Sequence, residues 1–192
     1  MTAITVDLSS LIHLSNDQFY KLCQANPDVK FERNYNGELV VMSPTGWGTG
    51  NRNSKLTSRL ELWAEANGTG LAFDSSTGFK LPNGAERSPD AAWVKQERLD
   101  ALNPDPDSFL PLAPDFVVEL ISGSDSIEKA RAKMREYQDN GVRLGWLINP
   151  KERQVEIYQQ GREVQVLQSP TSLSGQNVLP GFLLDLKGIL FS

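Results

Sequence analysis

Apolar residues recur at helical spacing in three stretches of the chain and alternate or run together in the others. In LSNDQFYKLCQANP, Phe19, Leu22 and Cys23 make one apolar face, Ser15 or Asn16 can cap the start and Pro27 ends it, which predicts a short helix. VKFERNYNGELVVM holds two alternating runs around Asn36-Gly37, the signature of a hairpin. SPTGWGTG reads as a turn-rich loop. From about Asn51 to Asn67 the pattern is helical again, with Leu56, Leu60, Trp63 and Ala64 on one face and the solvated Glu61 and Glu65 on the other. SDSIEKARAKMREYQDNG has the strongest helical pattern: Ser124 or Asp125 caps it, Ile127, Ala130, Met134 and Tyr137 form the stripe, and Gly141 stops it.

Between the last two helices lie strand-like pieces: GLAFDSSTGFKL, which can be two short strands, PDAAWV, and DFVVELI after the proline-rich loop NPDPDSFLPLAP. One mixed sheet is expected from them. VRLGWLINP reads as a buried strand, RQVEIYQQGREVQVL as a hairpin, and LPGFLLDLKGILF as a tail that docks its apolar residues. The resulting order is helix, three strands, helix, strand, an α/β (α+β) arrangement with a mixed sheet flanked by helices and additions at both ends. A single domain is expected, divided into an N-terminal helix and hairpin (1–45), a core (46–150) and a C-terminal hairpin and tail (151–192).

Composition narrows the function classes. Hydrophobic residues make up 39% and charged residues 22% of the 192, as in a folded globular protein. The net charge of −5 repels phosphate overall, so a nucleic-acid contact needs a local basic patch. The one cysteine, Cys23, has no internal disulfide partner, and no Cys/His cluster has zinc spacing. MTAITVDLSSLIHL lacks the pattern of an export signal, and no run is long enough to span a bilayer, so a cytoplasmic location without membrane attachment is expected.

Two carboxylates stand out. Alternation along PDAAWV puts Asp90, Ala92 and Val94 on one face, and along DFVVELI it groups Asp115, Val117, Glu119 and Ile121. Glu119 interrupts five apolar neighbours in a strand that should be buried on both sides, where a lone charge is costly. If the strands pair, Asp90 and Glu119 converge as oxygen ligands for a divalent cation; Mg²⁺, or Mn²⁺, suits a few carboxylates plus waters. A cation held there can polarise a phosphodiester and lower the pKa of an attacking water. A lysine would assist by orienting water or balancing charge. Lys133, at the edge of the apolar stripe, can carry its ammonium to the sheet; Lys129 points farther away, and Lys80 is the alternative donor.

At this point the residues resemble a known family. A proline-aspartate pair opening a strand, a second carboxylate in the next strand and a nearby lysine resemble the PD-(D/E)XK nuclease superfamily. More narrowly, GELVVMSPTG, LPNGAERSPDAAWV, PDFVVELISGSDS, KMREYQDNGVRLGWLINP and VLPGFLLDL are similar to the bacterial restriction-endonuclease family called Uma-two (Uma2). The resemblance implies a restriction endonuclease-like fold, a divalent metal and endonuclease activity on DNA. By position it implies Asp90 and Glu119 as metal ligands and Lys133 as the lysine moved from strand to helix. Ile121 holds the superfamily's usual lysine position, and SPTGWGTGNRN lacks the histidine many relatives carry, with Asn51 or Asn53 nearest. Pairing of two copies is expected by analogy with nucleases that cut two strands.

Each residue also has a plainer role. Asp90 after Pro89 suits a turn cap, and Glu119 suits a structural ion pair with a buried Lys or Arg. Lys133 shares a charged helix with Lys129, Arg131 and Arg135, commonly a solvated face. Asn53, one turn before Leu56 on the buried side, needs a partner for its amide and can face a site. Glu38 shares a face with Val40 and Met42, an exposed position or an accessory acid. His13 reads as a surface or packing residue, Cys23 as core, and Trp47 as closing over the core or stacking a base. The rival to a nuclease is a catalytically inactive module that keeps the fold for binding or interaction; it predicts carboxylates tied up by protein side chains or no binding of a divalent ion, whereas a nuclease predicts an open acidic pocket beside Lys133 with a basic rim.

Overall fold

The structure, a computed structural model, describes residues 3–8, 11–123 and 125–191. Along the chain, β1 (Ala3–Val6) is followed by α1 (Asn16–Ala25), β2 (Lys30–Arg33), β3 (Leu39–Met42) and α2 (Trp47–Asn67). Then come β4 (Gly70–Asp74), β5 (Phe79–Lys80), β6 (Glu86–Arg87), β7 (Ala91–Lys95), α3 (Gln96–Leu102), β8 (Phe116–Leu120), α4 (Ile127–Asp139) and β9 (Leu144–Asn149). The chain closes with β10 (Gln154–Gln159), β11 (Gln165–Gln168), β12 (Ser172–Ser174) and β13 (Leu183–Asp185). No helix among the described residues is long and apolar enough to cross a membrane.

Two large sheets organise these elements, and β12 and β13 form a separate antiparallel pair. The larger has the order β11-β10-β9-β8-β7-β4 and is antiparallel except for β8 and β9, which run parallel and are joined through α4. The smaller, β1-β3-β2-β6-β5, is antiparallel throughout. Alternation along β8 divides the core: Phe116, Val118 and Leu120 pack with Leu56, Leu60 and the tail residues Phe182 and Leu184, while Val117 packs with Ala92, Met134 and Tyr137. Gly145 on β9 is what lets α4 approach, because a Cβ there would lie 2.5 Å from Met134 Cε and 3.3 Å from Val117 Cγ2. The close approach brings the residue before Met134, Lys133, down towards β8.

The helix, three strands, helix, strand order is present as α2, β4, β7, β8, α4 and β9. Ser15 caps α1 through its hydroxyl, with Gln18 returning the bond to the Ser15 N–H. The hairpin of β2 and β3 turns at Gly37 with φ +84°, a conformation glycine adopts without steric cost. Several expectations are corrected. The GFKL strand, β5, leaves the mixed sheet for the smaller one, pairing with β6. SPTGWGTG is not all loop, since α2 begins at Trp47 behind Gly46. Trp47 does not close over the core but is 91% exposed. The cap of α4 is Ser126, whose hydroxyl accepts from the Lys129 N–H, in place of Asp125; Ser124 lies outside the described residues. The strands β1, β6, β12 and β13 and the helix α3 were not anticipated, all but α3 being four residues or fewer and so carrying little periodic signal.

Candidate active site

Antiparallel pairing sets Ala91 opposite Val118 and Ala92 opposite Val117. One residue on, that register brings Asp90 level with Glu119, at the end of β7. Asp90 is not a turn cap: its Oδ2 accepts from the Leu120 N–H across the strand gap at 2.8 Å, and its Oδ1 accepts from Asn53 Nδ2 of α2 at 2.9 Å. Glu119 Oε1 accepts from Lys133 Nζ at 2.8 Å and from the Tyr137 hydroxyl at 2.9 Å, both from α4. The same Lys133 Nζ donates to Glu32 Oε1 on β2 at 2.9 Å. Asp90, Glu119, Lys133, Glu32 and Asn53 line a cleft of about 610 Å³ between α4 and the face of the smaller sheet that carries Thr5, Val40 and Met42.

Glu32 is further held by the Ser88 N–H at 2.9 Å and by Arg87 Nη1 at 3.2 Å. Arg87 in turn gives Nε and Nη2 to Glu136 Oε2 at 2.5 Å. Glu32, Arg87, Glu136 and Asp90 are buried and Glu119 and Lys133 nearly so, yet their environments differ. Burial opposes the charge of Glu32, but Lys133 and Arg87 outweigh it and hold its carboxyl down at about 2. Burial dominates at Glu119, where Lys133 only partly offsets it and Asp90 and Glu32 add repulsion, so this carboxyl rises to about 7. Asp90 is also raised by burial, against the Leu120 N–H, Lys133, Lys30 and Asn53. Burial disfavours the Lys133 ammonium, but Glu119 and Glu32 prevail and keep it protonated well above the usual range.

Among the residues singled out from sequence, Asp90, Glu119, Lys133 and Asn53 meet here, and Glu38 reaches the same cleft with its carboxylate bonded by Asn34 Nδ2. Lys80 does not: it stands opposite Glu86 in the smaller sheet, and its charge acts there. Lys129 lies on the exposed rim of the cleft instead of turning away, and Ile121 lines the wall. Asn51 and His13 are exposed. Glu32, Arg87 and Glu136 are not among the residues that the sequence pattern points to as a site. A signal for Glu32 existed, since the Asn36-Gly37 turn pairs it with Val40, setting an acid on the apolar face that Val40 and Met42 share. Arg87, in a two-residue strand, offered none.

The free oxygen donors of the cleft are of the kind that a hard cation takes. No group of three or more His, Cys, Asp or Glu forms a metal cluster among the described residues. What the cleft offers is the two carboxylates of Asp90 and Glu119, whose bonds leave lone pairs unused, and the buried Asn53 Oδ1, which has no donor. That fits an ion keeping several waters and not one caged by protein.

A family model described as Uma2, "Putative restriction endonuclease", matches residues 16–187. Among solved structures the fold is similar to that of a protein from Anabaena variabilis ATCC 29413, described as "a putative nuclease belonging to DUF820". The TM-score is 0.79 at 21% identity, over 93% of this chain and 97% of that one. Comparison with curated proteins gives no match.

Proposed function

This chain belongs to the Uma2 family, and from that premise we propose that it is a metal-dependent nuclease that hydrolyses phosphodiester bonds in DNA. The observation that carries the reading is the level pair Asp90 and Glu119, converging on an open cleft beside Lys133. Asp90 and Glu119 would hold Mg²⁺ or Mn²⁺, and such a cation, when bound, stabilises charge developing on a phosphoryl oxygen. Lys133 stays an ammonium, so its part is that of a donor and not a base. Two of its three N–H bonds go to Glu119 and Glu32, which leaves one for a water or a phosphoryl oxygen in the cleft. Asn53 and the Leu120 N–H orient Asp90, and Glu32, anchored by Arg87 and Ser88, aims Lys133.

One observation favours the inactive binding module: Glu119 is already bonded by Lys133 and Tyr137, as a structural ion pair would be. Calorimetric titration of Mg²⁺ and Mn²⁺ into the protein and into Asp90→Ala and Glu119→Ala, with plasmid cleavage followed in the same samples, separates the two. Binding and cleavage lost together in both variants support the nuclease. A wild-type protein that binds neither ion sinks it and leaves the fold serving another purpose.

A further inference from the structure

Three of the chain's four tyrosines are tied to the protein's own groups. Tyr20 donates to the Asp107 carbonyl and packs edge-on against Phe109, Tyr137 donates to Glu119, and Tyr158 donates to Glu156. The fourth, Tyr35, is 65% exposed, and among the described residues its side chain has no hydrogen bond, stacked ring or cation partner. An exposed tyrosine by itself needs no explanation. This one, however, lines the cleft that holds Asp90, Glu119 and Lys133. Trp47, the more exposed ring, does not line it.

The backbone fixes the ring's place. Tyr35 and Asn36 are the central residues of the turn between β2 and β3, which the Gly37 N–H closes on the Asn34 carbonyl at 3.0 Å. Below it the Asn34 N–H donates to the Glu38 carbonyl at 3.1 Å, and the Glu38 N–H donates to Asn34 Oδ1 at 2.9 Å. A tyrosine on so closed a turn offers a large contact face at low conformational cost.

The cleft walls are poor in cations for a phosphate backbone. Carboxylates outnumber cations among the lining residues, and Arg87 and Lys133 are already bonded to Glu32, Glu119 and Glu136. Lys129, on the exposed rim, has no carboxylate partner among the described residues. Ionic contacts therefore supply a small part of the affinity for a strand, and a contact of another kind has to supply the rest. An aromatic face does so by stacking a base. Within a duplex both faces of a base are covered by its neighbours, so the base that stacks on a side chain is an unpaired one.

We propose that Tyr35 is a stacking platform for an unpaired base, and that the cleft accordingly takes DNA with a single-stranded segment in preference to continuous duplex. The proposal rests on the nuclease reading given above and adds to it the form of the substrate. Negatively supercoiled plasmid, which opens locally, offers such a segment.

The test measures binding of a fluorescently labelled oligodeoxythymidylate, and of its duplex with oligodeoxyadenylate, by anisotropy with Ca²⁺ present. The full chain is compared with Tyr35→Ala, Tyr35→Phe and Trp47→Ala. The wild type binds the single strand more tightly than the duplex. Tyr35→Ala weakens single-strand binding on the order of tenfold and leaves duplex binding unchanged; Tyr35→Phe and Trp47→Ala bind as the wild type does. The loss is the same at low and high salt, because stacking releases no counter-ions. Single-strand binding that is unchanged in Tyr35→Ala, lost as fully in Tyr35→Phe, or lost as fully in Trp47→Ala overturns the platform. A wild type that binds and cuts duplex in preference to single strands overturns the form of the substrate and leaves the nuclease reading standing. One that binds neither overturns both.

Discussion

Glu32 and Glu119 bond the same ammonium, that of Lys133, from opposite sides of the cleft, yet one carboxyl is held at about 2 and the other rises to about 7. Glu32 is buried and Glu119 nearly so, and burial opposes the charge of both. The difference is in their partners. Glu32 also has Arg87 and the Ser88 N–H, whereas Glu119 has a tyrosine hydroxyl and, across the strand gap, the like charge of Asp90. One side of the cleft is electrostatically complete and the other is short of positive charge. A complete network serves positioning; an incomplete one is where a cation or substrate gains most by arriving.

The largest expected effect comes from breaking the complete side. Arg87→Met leaves Glu32 and Glu136 buried without their guanidinium and should cost about 3 kcal/mol or more in denaturant unfolding. A loss below about 1 kcal/mol would mean that the network is not what holds Glu32. A smaller effect, with a pH signature, is expected on the incomplete side. The folded-state pKa of Glu119, about 7, lies above its usual 4.5, so its contribution to stability is present below about 4.5 and is lost as pH rises through 7. Glu119→Gln should therefore melt higher than the wild type at pH 8 in EDTA and nearly equal to it at pH 5. Glu32 has the opposite sign, contributing above 4.5 and losing its contribution as pH falls towards 2. If Glu119→Gln were destabilising at pH 8, the contrast between the two acids would collapse. The smallest effect belongs to Asn53→Ala, which removes one of the two donors to Asp90 and should cost about 1 kcal/mol, read by the same unfolding curves.

Legibility in the sequence followed element length. Asp90 and Glu119 could be set on one face because β7 and β8 alternate over five residues each, and the Ile127 to Tyr137 stripe put Lys133 at the edge of the face that meets the sheet. Asn53 was readable for the same reason, one turn before Leu56 on a long helix. Lys80 was misjudged because its two-residue strand belongs to the other sheet, a choice made by β6 that no local pattern reveals. Trp47 shows a limit of composition: a large apolar ring in a glycine-rich stretch suggests packing, yet as the first residue of α2 it is exposed. Arg87 sits between a glutamate and a serine, and nothing nearby says that Glu32, 55 residues earlier, and Glu136, 49 residues later, will close around it.

By itself the sequence determined the order of the core elements, the faces of β7, β8 and α4, and the placing of a carboxylate at Asp90 and at Glu119, because side-chain direction has a period of two in strands and 3.6 in helices. Only the tertiary structure decided which of the acids would be satisfied. That depends on how the smaller sheet folds over α4, bringing Glu32 and Arg87 to Lys133, and charge interactions between residues 55 and 101 positions apart follow distance in space, on which local periodicity is silent.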